Sequence, residues 1–154
     1  MRGVILIRSA LISLALVAGV SARATAEDAI GQIKTASGEV TVVRGGVSQK
    51  VAPGDRVFQS DLFTTGADGS VGITFADNSM LSLGPDSKLS LDQFKFDTTT
   101  HEGVFDSSLA SGTLAVKSGQ IVKQTPEAMK VRTPGALLGV RGTEFVVRAD
   151  GGGK

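Results

Sequence analysis

Three aspartates recur at the same point of three consecutive units, Ala67-Asp68-Gly69-Ser70, Ala76-Asp77-Asn78-Ser79 and Pro85-Asp86-Ser87. Carboxylates stacked on successive turns supply hard oxygen ligands, which is the chemistry of a calcium site. The same residues are ordinary turn formers, because an Asp side chain accepts hydrogen bonds from nearby backbone N–H groups whether or not a metal is present. Calcium-binding nonapeptide repeats carry paired glycines beside each Asp, and these units have at most one. The turn role outweighs the metal. No metal or other cofactor is expected, and Asp68, Asp77 and Asp86 are the residues that calcium would use.

The other reactive side chains are few. A nucleophilic triad needs a base beside a serine or cysteine, and here there is no cysteine and one histidine, His101. It lies in the polar run from Asp97 to Gly103, beside Glu102. A single histidine with nothing to orient it reads as a solvated loop residue, and the run reads as a mobile surface loop. No Gly-x-Ser-x-Gly elbow, phosphate loop or pair of histidines at metal spacing occurs. Neither catalytic residues nor enzymatic activity is expected. Arg141 has a fork that suits a carboxylate such as Glu144, free carbonyls or an acidic ligand. It follows Leu137, Leu138 and Val140 and precedes Gly142, so a structural role is expected, with Arg141→Ala lowering the melting temperature markedly.

The elements that must position these residues read as strands. After the amino-terminal stretch no segment sustains helical spacing of apolar residues, whereas two-residue alternation recurs. Val40 and Val42 share a face, as do Val71, Ile73 and Phe75, then Leu89 and Leu91, Leu114 and Val116, Met129 and Val131, and Phe145 and Val147. Gly, Asp, Asn and Ser clusters turn the chain between them. Three places after each periodic Asp stand Val71, Met80 and Leu89, predicted to point inward. Leu89 and Leu91 are odd-numbered while Phe94 and Phe96 are even, which predicts a bulge or corner near Asp92-Gln93. Ser118-Gly119 is predicted to turn between strands Thr113 to Lys117 and Gln120 to Gln124. With no Trp or Tyr and seven Phe, the core is expected to be aliphatic. The fold class is all-β, either a β-solenoid-like stack of equal rungs or a tightly wound β-sandwich or roll of short strands with Gly/Asp/Asn/Ser turns.

Composition and charge narrow the setting. Arg2 and Arg8 precede and enter an apolar core from Ser9 to Val20, followed by Ala24-Thr25-Ala26, the pattern of a cleaved signal peptide over residues 1–26. An uncleaved signal anchor is the alternative for that stretch, with no other transmembrane span expected. Cleavage removes Arg2, Arg8 and Arg23, leaving thirteen basic against fifteen acidic residues and a net charge of −2. The whole-chain charge of +1 then belongs to the leader, so no broad basic surface for nucleic acid remains. Without cysteine, a mature chain of 128 residues must be held by its core, and that length suits one domain.

Several motifs, in order, resemble the FecR domain. They are Arg44-Gly45-Gly46, Pro53-Gly54-Asp55, Asp61, the Asp77-Asn78-Ser79 unit, and the closing run from Val131 to Val147 with Thr133-Pro134 and Arg141-Gly142-Thr143. Ser60-Asp61 stands where the family often shows Gly-Asp. The resemblance spans residues 37 to 148 and implies an all-β periplasmic module whose motif residues lock the fold rather than react. Residues 27–36 are then a lead-in and 149–154 a disordered glycine-rich tail. Best-known members with this domain relay a signal from an outer-membrane iron-siderophore transporter to a cytoplasmic sigma factor. The relay also needs flanking parts that are not expected from this sequence, so it ranks behind the other readings. The expectation is a periplasmic, non-enzymatic protein-interaction or sensory module with a protein or envelope partner. A small-ligand or glycan-binding module is the alternative.

Overall fold

The computed structural model describes residues 27–151, so the expected leader and the last three residues of the tail lie outside the described residues. About 57% of this span is strand and 4% helix, and the sheet curls into an antiparallel half-barrel. The strands are β1 (Gly31–Ser37), β2 (Val40–Arg44), β3 (Val47–Lys50), β4 (Arg56–Val57), β5 (Leu62–Thr65), β6 (Ser70–Phe75), β7 (Met80–Leu83), β8 (Lys88–Phe96), β9 (Gly103–Lys117), β10 (Met129–Thr133), β11 (Ala136–Gly139) and β12 (Glu144–Ala149). A single-turn helix, α1 (Gln120–Gln124), links β9 to β10.

β9 organises the sheet. Its first half pairs with β8 and β10, and its second half pairs with β7 and β12. Gly112 lets the strand bend between the halves: its φ is 89°, and a side chain there would collide with Ser87. The β9–β10 pair is parallel, and parallel neighbours need a crossover, which the segment carrying α1 supplies. This corrects the expectation of a strand at Gln120 to Gln124. The Gln120 N–H donates to the Asp77 carbonyl, and Ile121 and Val122 turn into the core, so tertiary anchoring overrides the β preference of an Ile-Val pair.

The nine-residue units form a roll rather than stacked rungs. β6 and β7 pair antiparallel, and β7 then lies beside β9 instead of β8. Alternation held in most strands: Val40, Val42, Val71, Ile73, Phe75, Leu114, Val116, Met129 and Val131 are buried. The register shift between Leu91 and Gln93 is the predicted bulge, and it returns Phe94 to the core. Met80 breaks the pattern, being 45% exposed while Leu81 is buried. Asp77 and Ser79 both fold inward in the preceding turn, which advances the phase by one residue. The core is not purely aliphatic, because Phe75, Phe94 and Phe105 meet with ring centroids 4.6, 5.2 and 5.6 Å apart.

Both ends of the domain run further than the motifs suggested. β1 begins inside the expected lead-in, with Ile30 and Ile33 in the core, and β12 carries buried Ala149 into the expected tail. Residues 97–102 form a compact hairpin turn and not a loose loop. Asp97 Oδ1 accepts from the Thr99 and Thr100 N–H groups at 2.7 and 3.0 Å, and the Asp97 N–H donates to the Glu102 carbonyl. Among the described residues no helix is long and apolar enough to cross a membrane.

Candidate functional site

The first arginine of the motif set makes the strongest polar contact. Arg44, at the end of β2, donates from Nε and Nη2 to the two carboxylate oxygens of Asp61, each at 2.7 Å. The Asp61 side chain is 0% exposed and also accepts the Phe58 N–H at 2.9 Å. Arg44 caps this with a second Nη2 bond to the Arg56 carbonyl and a stack over the Phe58 ring at 4.3 Å. The hydrogen bond to Asp61 raises the guanidinium above its ordinary value, against an opposing effect of burial. The Nε and Nη2 donors are spent within the fold, so Arg44 holds a turn.

Ser60 explains the departure from the family pattern. Its φ is 68°, in the left-handed region where glycine is favoured, so the serine holds a backbone conformation that suits glycine. The neighbouring Pro53-Gly54-Asp55 motif is a second turn, in which Gly54 has φ 96° and Asp55 Oδ2 accepts the Ala52 N–H at 2.8 Å. Its backbone ties to β1 through Gly54 N–H to the Ile33 carbonyl and Ile33 N–H to the Asp55 carbonyl.

The periodic aspartates do not come together. The β6–β7 hairpin places Asp77 at one end and the turns of Asp68 and Asp86 at the other, where the Asp86 N–H donates to the Gly66 carbonyl. Each sits in a separate turn. Asp68 Oδ1 accepts the Glu39 N–H at 3.2 Å, and exposed Asp86 has φ 51°. Asp77 alone is fully buried: its carboxylate accepts the Ser79 N–H at 3.0 Å and the Ser79 hydroxyl at 2.6 Å. Ser79 Oγ in turn accepts the Gly119 N–H at 2.9 Å, pinning this hairpin to the entry of α1. Among the described residues no three His, Asp or Glu side chains are grouped to hold a metal ion. His101, at φ 61°, lies over Phe96 with ring centroids 6.1 Å apart, so the turn does orient it, against a partly buried ring.

The closing motif is a hairpin and a corner. Thr133 Oγ1 accepts the Ala136 N–H at 3.1 Å across the Pro134-Gly135 turn. Gly142 has φ 112°, its carbonyl accepts the Ser118 hydroxyl at 2.6 Å, and the Thr143 carbonyl accepts the Ser118 N–H at 2.8 Å. Arg141 does not reach Glu144. It pairs with Glu127, with side chains 73% and 54% exposed, while Glu144 meets Lys117 at 3.5 Å. Leu137 is 59% exposed as well, so the apolar residues before Arg141 do not bury it as expected. β11 is a sheet edge, and its side chains face solvent more than core.

The surface that alternation did not reveal lies on the outer face of β7, β9 and β12. In register across the sheet run Thr35, Gly72, Ser82, Ala115 and Val146, a row of small or short side chains over β1, β6, β7, β9 and β12. Beside it Thr74, Met80, Lys117 and Glu144 form a second row. The two rows leave an open trough of about 380 Å³ over β7, β9 and β12, with Met80 and 69% exposed Val146 on its walls. One signal for it was present in the sequence: Ser82 and Ala115 interrupt apolar strands with residues too small to fill the face. A smaller polar cleft of about 300 Å³ lies between Gln49, Lys50, Arg56 and Phe58.

The fold is an all-β roll with buried turn carboxylates and an outward-facing apolar trough. The family model for the FecR protein matches residues 61–154, and the chain belongs to that family. No curated protein matches it. It is also similar, at 37% identity, to a solved structure described as a cell surface anchoring domain. The likeness covers 40% of this chain and 82% of that one, with a TM-score of 0.39.

Proposed function

We propose that this chain is a non-enzymatic, exported binding module of the bacterial periplasm that docks a protein or envelope component against the trough on β7, β9 and β12. The observation that carries this reading is the exposed pair Met80 and Val146 on either side of a small-residue floor, an apolar patch on a face otherwise made of Thr, Ser, Lys and Glu. Family membership supports the setting, since FecR domains are typically periplasmic or membrane-associated. The polar side chains that a reaction would need are instead engaged in turns: Asp61, Asp77 and Asp97 in hydrogen bonds, His101 against Phe96. A regulatory role follows if the docked component is a signalling partner, which keeps the iron-relay function as a special case of the same surface.

The test is photo-crosslinking in growing cells from position 82, at the trough floor, with position 50 in β3 as control. A discrete adduct of foreign mass from position 82 and none from position 50 is the expected result. Equal or absent adducts from both would remove the trough as the docking surface. The small-ligand alternative falls to the Lys50–Arg56 cleft, where a saturable calorimetric response to an anionic sugar, lost in Arg56→Ala, would favour it.

A further inference from the structure

Four strands end the sheet: β3, β4, β11 and β12. A sheet edge offers unpaired N–H and C=O groups to any chain that can match them, and proteins guard such edges with short strands, Pro, bulges or charged side chains. β4 has two residues, β3 and β11 four each, and β12 six without Pro or bulge. Among the described residues β12 pairs with β9 alone.

The backbone phase of β12 fixes which groups are free. The Ser118 N–H donates to the Thr143 carbonyl, and antiparallel ladders alternate, so Phe145, Val147 and Ala149 direct their backbone groups at β9. The Gly84 N–H donating to the Thr113 carbonyl on the other side of β9 obeys the same phase. Glu144, Val146 and Arg148 therefore present their N–H and C=O groups along the open edge, with exposed side chains on the outer face.

This spacing is self-complementary. We propose that β12 pairs with β12 of a second copy, antiparallel about a two-fold axis at Val146, with Glu144 of each chain opposite Arg148 of the other. In that register Val146 faces its own symmetry mate as a hydrogen-bonded pair, and each flanking position sets opposite charges against each other. An isologous contact requires such matching of a patch with itself. A slip by two residues loses it, because Glu144 then faces Val146 and Arg148 is left over. β3 and β11 carry no opposite charges, so neither edge has an equivalent register. In the single chain these side chains have only loose partners, Lys117 for Glu144 at 3.5 Å and Asp150 for Arg148 at 3.7 Å, all more than half exposed. Pairing also joins the two troughs across the axis into one longer surface.

Sedimentation velocity over a concentration series of the purified chain reads the proposal. The wild-type chain is expected to reach the mass of two copies. Glu144→Arg and Arg148→Glu are each expected to raise the dissociation constant at least about tenfold, since each sets like charges at both flanks. An equimolar mixture of the two variants restores opposite charges and is expected to pair again. A chain that stays single at all concentrations, or pairing that neither reversal changes, would overturn it. If a single reversal impairs folding, the chain carrying both reversals keeps complementarity and must pair like the wild type; a folded double variant that stays single overturns the register. The outcome is separable from the envelope partner, because a foreign-mass adduct from position 82 requires no second copy.

Discussion

Arg44 and Arg141 each hold a carboxylate, and the two pairs stand at opposite extremes of burial. Arg44 grips an Asp61 that has lost all contact with water and that a backbone N–H also binds, whereas Arg141 meets Glu127 with both side chains more than half exposed. Water screens the second pair and the side chains surrender rotamer freedom to form it, so it contributes little. The first cannot be broken without leaving a charge stranded. The frame of the domain therefore sits in its buried turn carboxylates, Asp61 and Asp77, while the carboxyl-terminal strands, with the exposed Arg141, Leu137 and Val146, form the open side.

The sharpest way to break this contrast is Asp61→Asn, which leaves the Arg44 guanidinium without its anion. Because Arg44 is itself one-third exposed, the loss is expected near the lower end of the range for breaking buried pairs, about 3 kcal/mol in urea unfolding. Ser60→Gly should act in the opposite direction on the same turn. It relieves a left-handed serine and is expected to stabilise by about 1 kcal/mol, partly offset by the freedom glycine gains when unfolded. Arg141→Ala, by contrast, is expected to cost less than about 1 kcal/mol, so the melting temperature moves by a few degrees at most. A drop as large as that of Asp61→Asn would show that the closing motif is the real lock.

Asp97 gives the smallest effect and a pH signature. The N–H groups of Thr100 and Thr99 hold its carboxyl below the usual range, and it is fully exposed. A carboxyl with a depressed folded value adds stability above the unfolded value, near pH 4, and that contribution disappears as pH falls through the folded value. Proton titration by NMR should find the Asp97 carboxyl below its ordinary range, and normal in Thr100→Gly only if the turn opens; a titration in the ordinary range in the native chain would deny the turn its hydrogen bonds.

The strand faces were legible because alternation reports burial directly, and even the bulge at Asp92 could be inferred from the clash between Leu91 and Phe94. The helix at Gln120 was not, since five residues carry no helical period and the Gln120 N–H is anchored on the carbonyl of Asp77, more than forty residues earlier in the chain. Met80 was misplaced for a related reason: whether Asp77 folds in or out sets the phase of the next strand, and the three periodic units look alike in sequence. Arg141 failed because apolar neighbours at a sheet edge need not be buried. The trough was visible only as small residues, which acquire meaning when register places Gly72, Ser82 and Ala115 side by side.

The separation of frame from contact surface is tested most directly by Met80→Glu, read in two ways on one sample: unfolding by urea and crosslinking from position 82 in cells. Surface substitutions outside special features move stability by only about 0.5 kcal/mol, so the unfolding midpoint is expected to stay in place while the foreign adduct disappears. A midpoint that falls as far as that of Asp61→Asn, with the adduct intact, would contradict the account, because Met80 would then belong to the frame and the partner would sit elsewhere.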